Sequence, residues 1–295
     1  MLPLRGSGQV YLTCGFSPDG RSLAAGGTGH TVEGWDLTDP GRVSLLVGDT
    51  EQASIAFAGY TPNGQLLALH ARGSYHLVGP DHRGVLSTGF RYFVSRAALS
   101  ADGRRFATAG DRLSVWTVQP TALHPDWYVP APPGQVFAGV AFGPSGTWFA
   151  VSVVATIGPS RIEIQQSDGR GSPRLLPVRG ERPDKLTWSP DGQFLAGLVD
   201  RQLTVWDTQT WVEAFGPPQN PGPGHWLSVL FHPSGKHLLT GGATGEVTLW
   251  DVSTWQPLTT FRWGTGPVYA LAFAPDGLRA AAAGHTGVVV WDLDV

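Results

Sequence analysis

The sequence has few of the residues that mark several common classes of protein. It contains a single cysteine, Cys14, which excludes an internal disulfide framework and favours a reducing compartment. No apolar run approaches the roughly 18 residues that a membrane helix needs. The first residues also lack a charged segment followed by a long apolar stretch. We therefore expect a cytoplasmic protein that is neither exported nor embedded in a membrane.

Charged side chains are scarce as well, at 15% of the chain, and they nearly balance to a net charge of -3. The basic residues do not cluster, so we expect no nucleic acid partner, because a polyphosphate binds to a concentrated basic surface. Only two of the 20 basic residues are lysines and the other 18 are arginines. This bias is typical of a high-GC genome and favours a bacterial source.

Glycine, proline and tryptophan are abundant instead, with 40, 24 and 12 residues respectively. Helical periodicity is almost missing, while short apolar stretches alternate with turn residues along the whole chain. Since 41% of the residues are hydrophobic, the chain has ample material for a core. The composition therefore predicts an all-β protein of many short strands joined by tight turns.

Seven turn signals of one type recur along the chain, each with the form of "SPDG". Proline presets φ, the Asp, Asn or Ser bonds the backbone, and glycine takes the positive φ that closes a hairpin. The turn glycines are 39 to 46 residues apart, a period that suits one four-stranded propeller blade. They are Gly20, Gly64, Gly103, Gly146, Gly192, Gly235 and Gly277.

A large apolar residue stands four positions before each turn glycine, where we expect the innermost strand to end. These residues are Phe16, Tyr60, Leu99, Phe142, Trp188, Phe231 and Phe273. A second strand of small and apolar residues follows the turn, and a third strand carries a tryptophan in five units. The tryptophans lie 13 to 15 residues after the turn glycine, at Trp35, Trp116, Trp206, Trp250 and Trp291. Their strict register favours a structural role in the core.

The period, the distance from turn to tryptophan and the Trp-Asp endings resemble the WD-repeat family of β-propellers, and the resemblance spans essentially the whole chain. It implies one domain over residues 1–295: a closed ring of seven four-stranded antiparallel blades. It also implies that residues 2 to 6, "LPLRG", complete the last blade as its outer strand. Such closure removes an open sheet edge, and it would explain why the chain ends soon after a Trp-Asp pair.

Family members often carry a buried hydrogen-bond chain that links Gly-His, an Asp, a Ser or Thr hydroxyl and the tryptophan. Here the parts do not assemble: Gly224-His225 belongs to a unit with Thr244 where the Asp should stand, and Asp200 belongs to a unit without Gly-His. We therefore expect apolar packing and backbone hydrogen bonds to hold these blades together, with the indoles donating to other acceptors.

We find no pattern that predicts catalytic residues, a cofactor or a metal site. Ser145 lies in "GPSG", which is one of the seven turns and too short for a nucleophile elbow. His70, His76 and His82 are evenly spaced, but they fall on a strand end, the next strand and a loop. We therefore do not expect these histidines to share a metal.

Asp184 and Lys185 form the only ionisable pair in a predicted inner strand, and we interpret them as a solvated surface ion pair. An enzyme is thus not the expected class. The alternative is a small-molecule hydrolase or lactonase at the mouth of the central channel. It predicts several ionisable side chains with shifted pKa values converging on the channel, whereas a binding platform predicts an exposed patch of aromatic residues and arginine.

Three stretches are candidates for a binding surface: residues 86 to 96, residues 215 to 226, and "RWGTGPVY". Their aromatic and basic residues are typical of interface anchors, although Phe93 and Trp226 could equally serve local packing. We expect a non-catalytic scaffold that binds a protein or peptide, and our sharpest hypothesis is an acidic-peptide groove at Arg91, Arg96 and Tyr269. The oligomeric state stays open, with a monomer as one option. The candidate residues are Arg91, Tyr92, Phe93, Arg96, His225, Trp226, Trp263 and Tyr269.

Overall fold

The computed structural model describes residues 1–39, 41–48, 52–79, 84–88, 92–215 and 225–293. Within these ranges it contains twenty-eight strands and no helix, and the strands form seven four-stranded antiparallel sheets. The prediction of an all-β, seven-bladed propeller is therefore confirmed. Correspondingly, no helix in the described ranges could span a membrane.

Each of the first six blades consists of four consecutive strands, ordered from the channel outwards. The first three blades are β2 to β5 (Tyr11–Phe16, Ser22–Gly27, Val32–Asp36, Val43–Val47), β6 to β9 (Ile55–Tyr60, Leu66–His70, Ser74–Val78, Gly84–Thr88) and β10 to β13 (Val94–Leu99, Arg105–Gly110, Arg112–Val118, Leu123–Pro130). The next three are β14 to β17 (Gln135–Phe142, Trp148–Ala155, Arg161–Gln166, Arg174–Pro177), β18 to β21 (Pro183–Trp188, Phe194–Val199, Gln202–Asp207, Glu213–Phe215) and β22 to β25 (Trp226–Phe231, His237–Gly242, Glu246–Asp251, Gln256–Arg262).

The seventh blade combines both ends of the described chain. Its three inner strands are β26 (Val268–Phe273), β27 (Arg279–Gly284) and β28 (Val288–Asp292), and its outer strand is β1 (Leu2–Leu4). β1 pairs antiparallel with β28, so that Leu2 lies opposite Val290 and Leu4 opposite Val288. The N-terminal strand therefore closes the ring as predicted, although it is three residues long rather than the five of residues 2 to 6.

The repeated turns form as the sequence predicts. All seven turn glycines have positive φ, between 67° and 84°. In the first turn the Asp19 carboxylate accepts hydrogen bonds from the Ser17 hydroxyl at 2.6 Å and from the Arg21 amide at 3.0 Å. The seven large apolar residues predicted before the turns are the last residues of the seven innermost strands. Turn chemistry thus sets where each inner strand ends.

The five repeat tryptophans lie in the core, each no more than 5% exposed. The Trp35 indole donates to the Arg5 carbonyl at 3.0 Å, which is an acceptor outside the family pattern. The Trp250 indole, however, donates to the Thr240 hydroxyl at 2.9 Å, so part of the family's hydrogen-bond chain does assemble in the sixth blade. Our expectation that none of it would form is wrong there.

Every blade has an irregularity in the pairing of its innermost strand with the next one, always near the start of the innermost strand. A β-bulge leaves extra residues unpaired and redirects their side chains. The residues skipped in the pairing are Leu12, Ala56, Ser95, Ala138, Asp184 with Lys185, Leu227 and Tyr269. The fifth blade has the longest irregularity, and all of these positions lie where the strands begin, at one mouth of the channel.

Candidate functional site

A cavity of about 510 Å³ lies at this mouth of the channel. The starts of innermost strands supply Leu12, Arg96, Lys185 and Tyr269 to its lining. The loops of the same face add Arg182, Arg201 and His225. A second cavity of about 630 Å³ continues along the channel and is lined by all seven innermost strands. Arg96 and Lys185 line both cavities and therefore lie where the mouth meets the channel.

Arg96 follows the skipped residue of β10 and reaches from the third blade to the fifth. One of its guanidinium nitrogens, Nη2, lies 3.6 Å from Asp184 Oδ1, and Nη1 donates to the Ser95 carbonyl at 2.9 Å. The two side chains are 38% and 50% exposed, so the ion pair adds little stability. Our expectation of a solvated Asp184–Lys185 pair is therefore wrong, because Asp184 pairs with Arg96.

The Lys185 side chain instead crosses towards the seventh blade. Its Nζ donates a hydrogen bond to the Tyr269 carbonyl at 3.3 Å. Burial lowers the pKa of Lys185 from its ordinary 10.5 to about 7, and the nearby Arg96 guanidinium acts in the same direction. Asp184 and Cys14 oppose the shift but do not outweigh it. At neutral pH the amine is thus neutral in a large fraction of molecules.

Cys14 lines the channel next to this amine. Burial raises the pKa of its thiol to about 12, with Lys185 acting weakly in the opposite direction. Since the thiolate is the reactive form of cysteine, the thiol is inert at neutral pH. Lys185 is therefore the more reactive nucleophile of the two.

The charged residues that line the mouth are mostly basic. Four basic side chains face two acidic ones, namely Arg96, Arg182, Lys185 and Arg201 against Asp184 and Asp200. The Asp200 carboxylate also accepts hydrogen bonds from the backbone amides of Glu181 and Arg182, both at 2.9 Å. Because these amides partly satisfy its charge, the mouth favours an anionic ligand.

Five of the eight predicted binding residues lie at or beside the mouth. Arg96, His225, Trp226 and Tyr269 line the same cavity, although they belong to different parts of the ring. Phe93 is 54% exposed and shares a neighbouring cavity of about 270 Å³ with Arg96. Arg91 lies outside the described residues. Phe93 and Arg96, an aromatic residue and an arginine of the predicted patch, therefore lie beside the same cavity.

Tyr92 is engaged inside the third blade rather than on a surface. Its hydroxyl lies 3.1 Å from the Thr108 hydroxyl, which accepts a long hydrogen bond of 3.5 Å from the Trp116 indole. The Arg112 guanidinium lies 3.7 Å from the centre of the Tyr92 ring. This chain of polar contacts orients Tyr92 within the blade, so we leave it out of the proposed surface.

Trp226 and Trp263 also pack internally. Trp226 is only 2% exposed and meets Trp250 edge-on at a ring distance of 6.1 Å, which agrees with the local-packing alternative. Trp263 stacks on Phe261 at 5.3 Å and lies 4.4 Å from the Trp291 ring. Both side chains fill gaps between strands, and we leave them out of the proposed surface as well.

Lys185 and the loop arginines Arg182 and Arg201 are the site residues that sequence reasoning missed. One signal could have pointed to Lys185: it is one of only two lysines beside 18 arginines, and it stands in a strand that faces the channel. No comparable signal exists for the two loop arginines, because only the fold brings their loops to the mouth.

Two histidines of the second blade come close together. His70 at the end of β7 and His76 in β8 have ring centres 5.3 Å apart, whereas His82 lies outside the described residues. In the ranges that the structure describes, no group of three or more His, Cys, Asp or Glu side chains could hold a metal ion.

Comparison with known proteins supports the repeat assignment. The model of the family "WD domain, G-beta repeat" matches residues 184–207, 218–251 and 255–292, which fall in the last three blades. The chain is 37% identical over 75 residues to Pre-mRNA-processing factor 19 from Oryza sativa subsp. japonica, a match that covers 25% of the chain and 14% of that protein. It is 28% identical over 155 residues to WD repeat-containing protein 91 from Danio rerio, covering 52% of the chain and 18% of the relative.

A third relative is the guanine nucleotide-binding protein subunit beta-like protein 1 from Mus musculus. The chain is 30% identical to it over 107 residues, which cover 36% of the chain and 32% of the relative. Each of these three matches therefore covers less than a third of the relative's own length.

Proposed function

Because the chain belongs to the WD-repeat β-propellers, we propose that it is a non-catalytic scaffold that binds an acidic peptide segment of a partner protein at the channel mouth. The observation that carries this proposal is the basic lining of the mouth, where three arginines and Lys185 face two carboxylates. Arginine is suited to this task because its planar guanidinium binds carboxylates through two parallel hydrogen bonds.

The surroundings of Arg96 fit such a partner. Its guanidinium is partly exposed and is held at the mouth by Asp184, and the exposed Phe93 ring offers apolar area beside it. An aromatic ring next to an arginine is the composition of an interface hot spot. Arg96 projects from β10, which pairs with the next strand of its blade, and Phe93 directly precedes that strand.

The proposal is tested with a random peptide library selected on the immobilised chain. We expect the selected peptides to be rich in Asp and Glu. Arg96→Glu should weaken their binding at least about tenfold, because it reverses a charge that would pair with the peptide. Dissociation constants for wild type and variant measure the effect.

Arg170→Glu is the matched control. Arg170 is 86% exposed in the connection between β16 and β17, which opens on the face opposite the mouth. The control should bind the selected peptides like wild type, and both variants should keep the wild-type melting temperature. Selection of peptides without acidic enrichment, or full binding by Arg96→Glu, would contradict the proposal.

We also propose a cytoplasmic location, which rests on the single cysteine and its free thiol.

The hydrolase or lactonase alternative gains one supporting observation, which is the lowered pKa of Lys185. An amine by itself does not form a hydrolytic site, but a neutral amine can act as a nucleophile towards a carbonyl carbon.

A further inference from the structure

Lys185 occupies an unusual place for a lysine in this chain. The only other lysine, Lys236, is exposed in the turn after β22, and every other basic position carries arginine. Arginine stays protonated under all relevant conditions, whereas a lysine in a desolvated site can supply a neutral amine. The one lysine of the channel is therefore chemically distinct from the arginines around it.

The geometry gives this amine access to small molecules. Lys185 lies in the irregular part of β18, between a mouth cavity of about 510 Å³ and a channel cavity of about 630 Å³. Bulges of this kind often redirect side chains beside active sites. The only hydrogen bond described for Nζ is the one of 3.3 Å to the Tyr269 carbonyl, which orients the amine and leaves its lone pair available.

The neighbouring guanidinium supplies the second half of a site. Arg96 lines the same two cavities as Lys185 and lies close enough to lower the lysine pKa. Arg182 and Arg201 line the mouth beyond it. A ligand that enters from solvent therefore meets guanidinium groups first and the amine at the base of the mouth. A small molecule that carries both an anionic group and an electrophilic carbon fits this arrangement, because the anionic group can bind a guanidinium while the carbon reaches the amine.

We propose that Lys185 binds small oxo acids covalently and reversibly as imines, with the ligand carboxylate held by Arg96. The ligand class follows from the two groups: a carbonyl carbon for the amine and a carboxylate for the guanidinium. This inference goes beyond the scaffold function and does not require the peptide partner. It uses the same mouth, so a bound oxo acid would occupy the floor of the proposed peptide site.

The reaction needs no oxidant or reductant. The Nζ lone pair attacks the carbonyl carbon, and the electrons of the C=O double bond move to oxygen. One proton passes from the nitrogen to that oxygen, which gives a neutral carbinolamine. The hydroxyl group is then protonated and leaves as water while the nitrogen lone pair forms the C=N bond, and the nitrogen finally releases its second proton, which replaces the one consumed. The net change joins one amine and one carbonyl compound and releases one water, and hydrolysis reverses it.

Sodium borohydride trapping with glyoxylate tests the proposal on the full chain. The reductant converts an imine to a stable secondary amine, and peptide mass spectrometry then measures labelling at the three primary amines, namely the N-terminus, Lys185 and Lys236. A lysine with an ordinary pKa is neutral in about one molecule in three thousand at pH 7. We therefore expect Lys185 to be labelled at least about tenfold more than the exposed Lys236 within the same sample.

Propionaldehyde, which lacks a carboxylate, tests the role of Arg96. Wild type should label Lys185 more strongly with glyoxylate than with propionaldehyde, after normalisation to Lys236. Arg96→Met removes a cation that lowers the Lys185 pKa, so labelling by both probes should decrease. The ratio of glyoxylate to propionaldehyde should fall as well, because only glyoxylate loses an ion pair. Arg170→Met is the control and should leave the ratio unchanged.

Two results would overturn the inference. Equal labelling of Lys185 and Lys236 by glyoxylate would show that the channel amine is not a binding site for carbonyl compounds. Preferential labelling of Lys185 with no preference for glyoxylate over propionaldehyde would show a reactive lysine without oxo-acid recognition. A peptide-binding measurement is independent of both, so failure here and failure of the scaffold proposal are distinguishable.

Discussion

At the scale of single residues, Glu33 is the carboxylate on which the N-terminal connection depends. It is only 5% exposed, and the Tyr11 hydroxyl donates to its Oε2 at 2.6 Å. The Ser7 amide donates to both carboxylate oxygens at 3.2 Å. Burial and the neighbouring carboxylate raise the pKa of Tyr11, so its hydroxyl stays a donor throughout the physiological range. A buried charge of this kind is tolerated only because donors surround it.

Tyr11→Phe should lower the free energy of unfolding by about 1 to 3 kcal/mol, because it removes a donor from a buried carboxylate and leaves the ring in place. Urea unfolding followed by tryptophan fluorescence measures the change. Tyr128→Phe is the control. Tyr128 is 62% exposed in β13, so the loss of its hydroxyl group should change the free energy of unfolding little. Equal losses in the two variants would contradict this role of Glu33.

At the scale of elements, the turn between β22 and β23 joins the sixth blade to the seventh through a histidine. His232 Nδ1 accepts a hydrogen bond from the Ser234 amide at 3.0 Å, so Nε2 carries the proton and donates to the Gly277 carbonyl at 3.0 Å. The ring of His237 lies 5.8 Å away. Burial lowers the pKa of His237; His232 and Lys236 act in the same direction, and Asp251 opposes them.

This arrangement predicts acid sensitivity of the blade junction. The folded chain binds a proton at His237 less readily than the unfolded chain does, so stability is greatest above the ordinary value of 6.5 and falls as the pH decreases below it. Between pH 7.5 and pH 5.5, His237→Gln should therefore reduce the loss of melting temperature by about 1 to 3 °C relative to wild type.

His124→Gln provides the comparison, because His124 is exposed in β13. It should follow the wild-type pH dependence. If His237→Gln also follows wild type, His237 does not contribute to the acid sensitivity, and other titrating groups must account for it.

At the scale of the whole molecule, ring closure couples the seventh blade to the first. β1 pairs with β28, and the residues that follow contact the first blade, where the Arg5 carbonyl accepts from the Trp35 indole at 3.0 Å. In the closed ring β1 covers the outer edge of β28, whereas without β1 the unpaired backbone groups of β28 would be exposed.

Deletion of residues 1 to 8 should therefore cause aggregation or a large loss of thermal stability, measured by light scattering and calorimetry. Leu4→Asp should have the same direction of effect, because Leu4 is only 3% exposed and faces the core. Pro3→Ser is the control, since Pro3 points to solvent. A truncated chain with an unchanged melting curve would remove this account of closure.

Sequence reasoning predicted the repeat unit and its strands closely, but it predicted only part of the site. It anticipated Arg96 and Tyr269 at one mouth, where both line the cavity. It also placed Trp226 on the surface as one of two alternatives, whereas the side chain lies in the core. A tryptophan beside a proline-rich stretch has the same pattern in either case, because burial depends on which neighbouring blade packs over it.

By itself, the sequence determined the period, the turn glycines and the ends of the innermost strands. These features follow from the backbone preferences of a few neighbouring residues, and the same residue types recur in every repeat. Only the tertiary structure decided the chemistry of the mouth. The Lys185 amine donates a hydrogen bond to a backbone carbonyl 84 residues away in the sequence, and Asp184 forms an ion pair with Arg96 from another blade. Closure of the ring and the bulges of the innermost strands bring these groups together, and their proximity and desolvation then change the lysine from a solvated cation into an amine with a pKa of about 7.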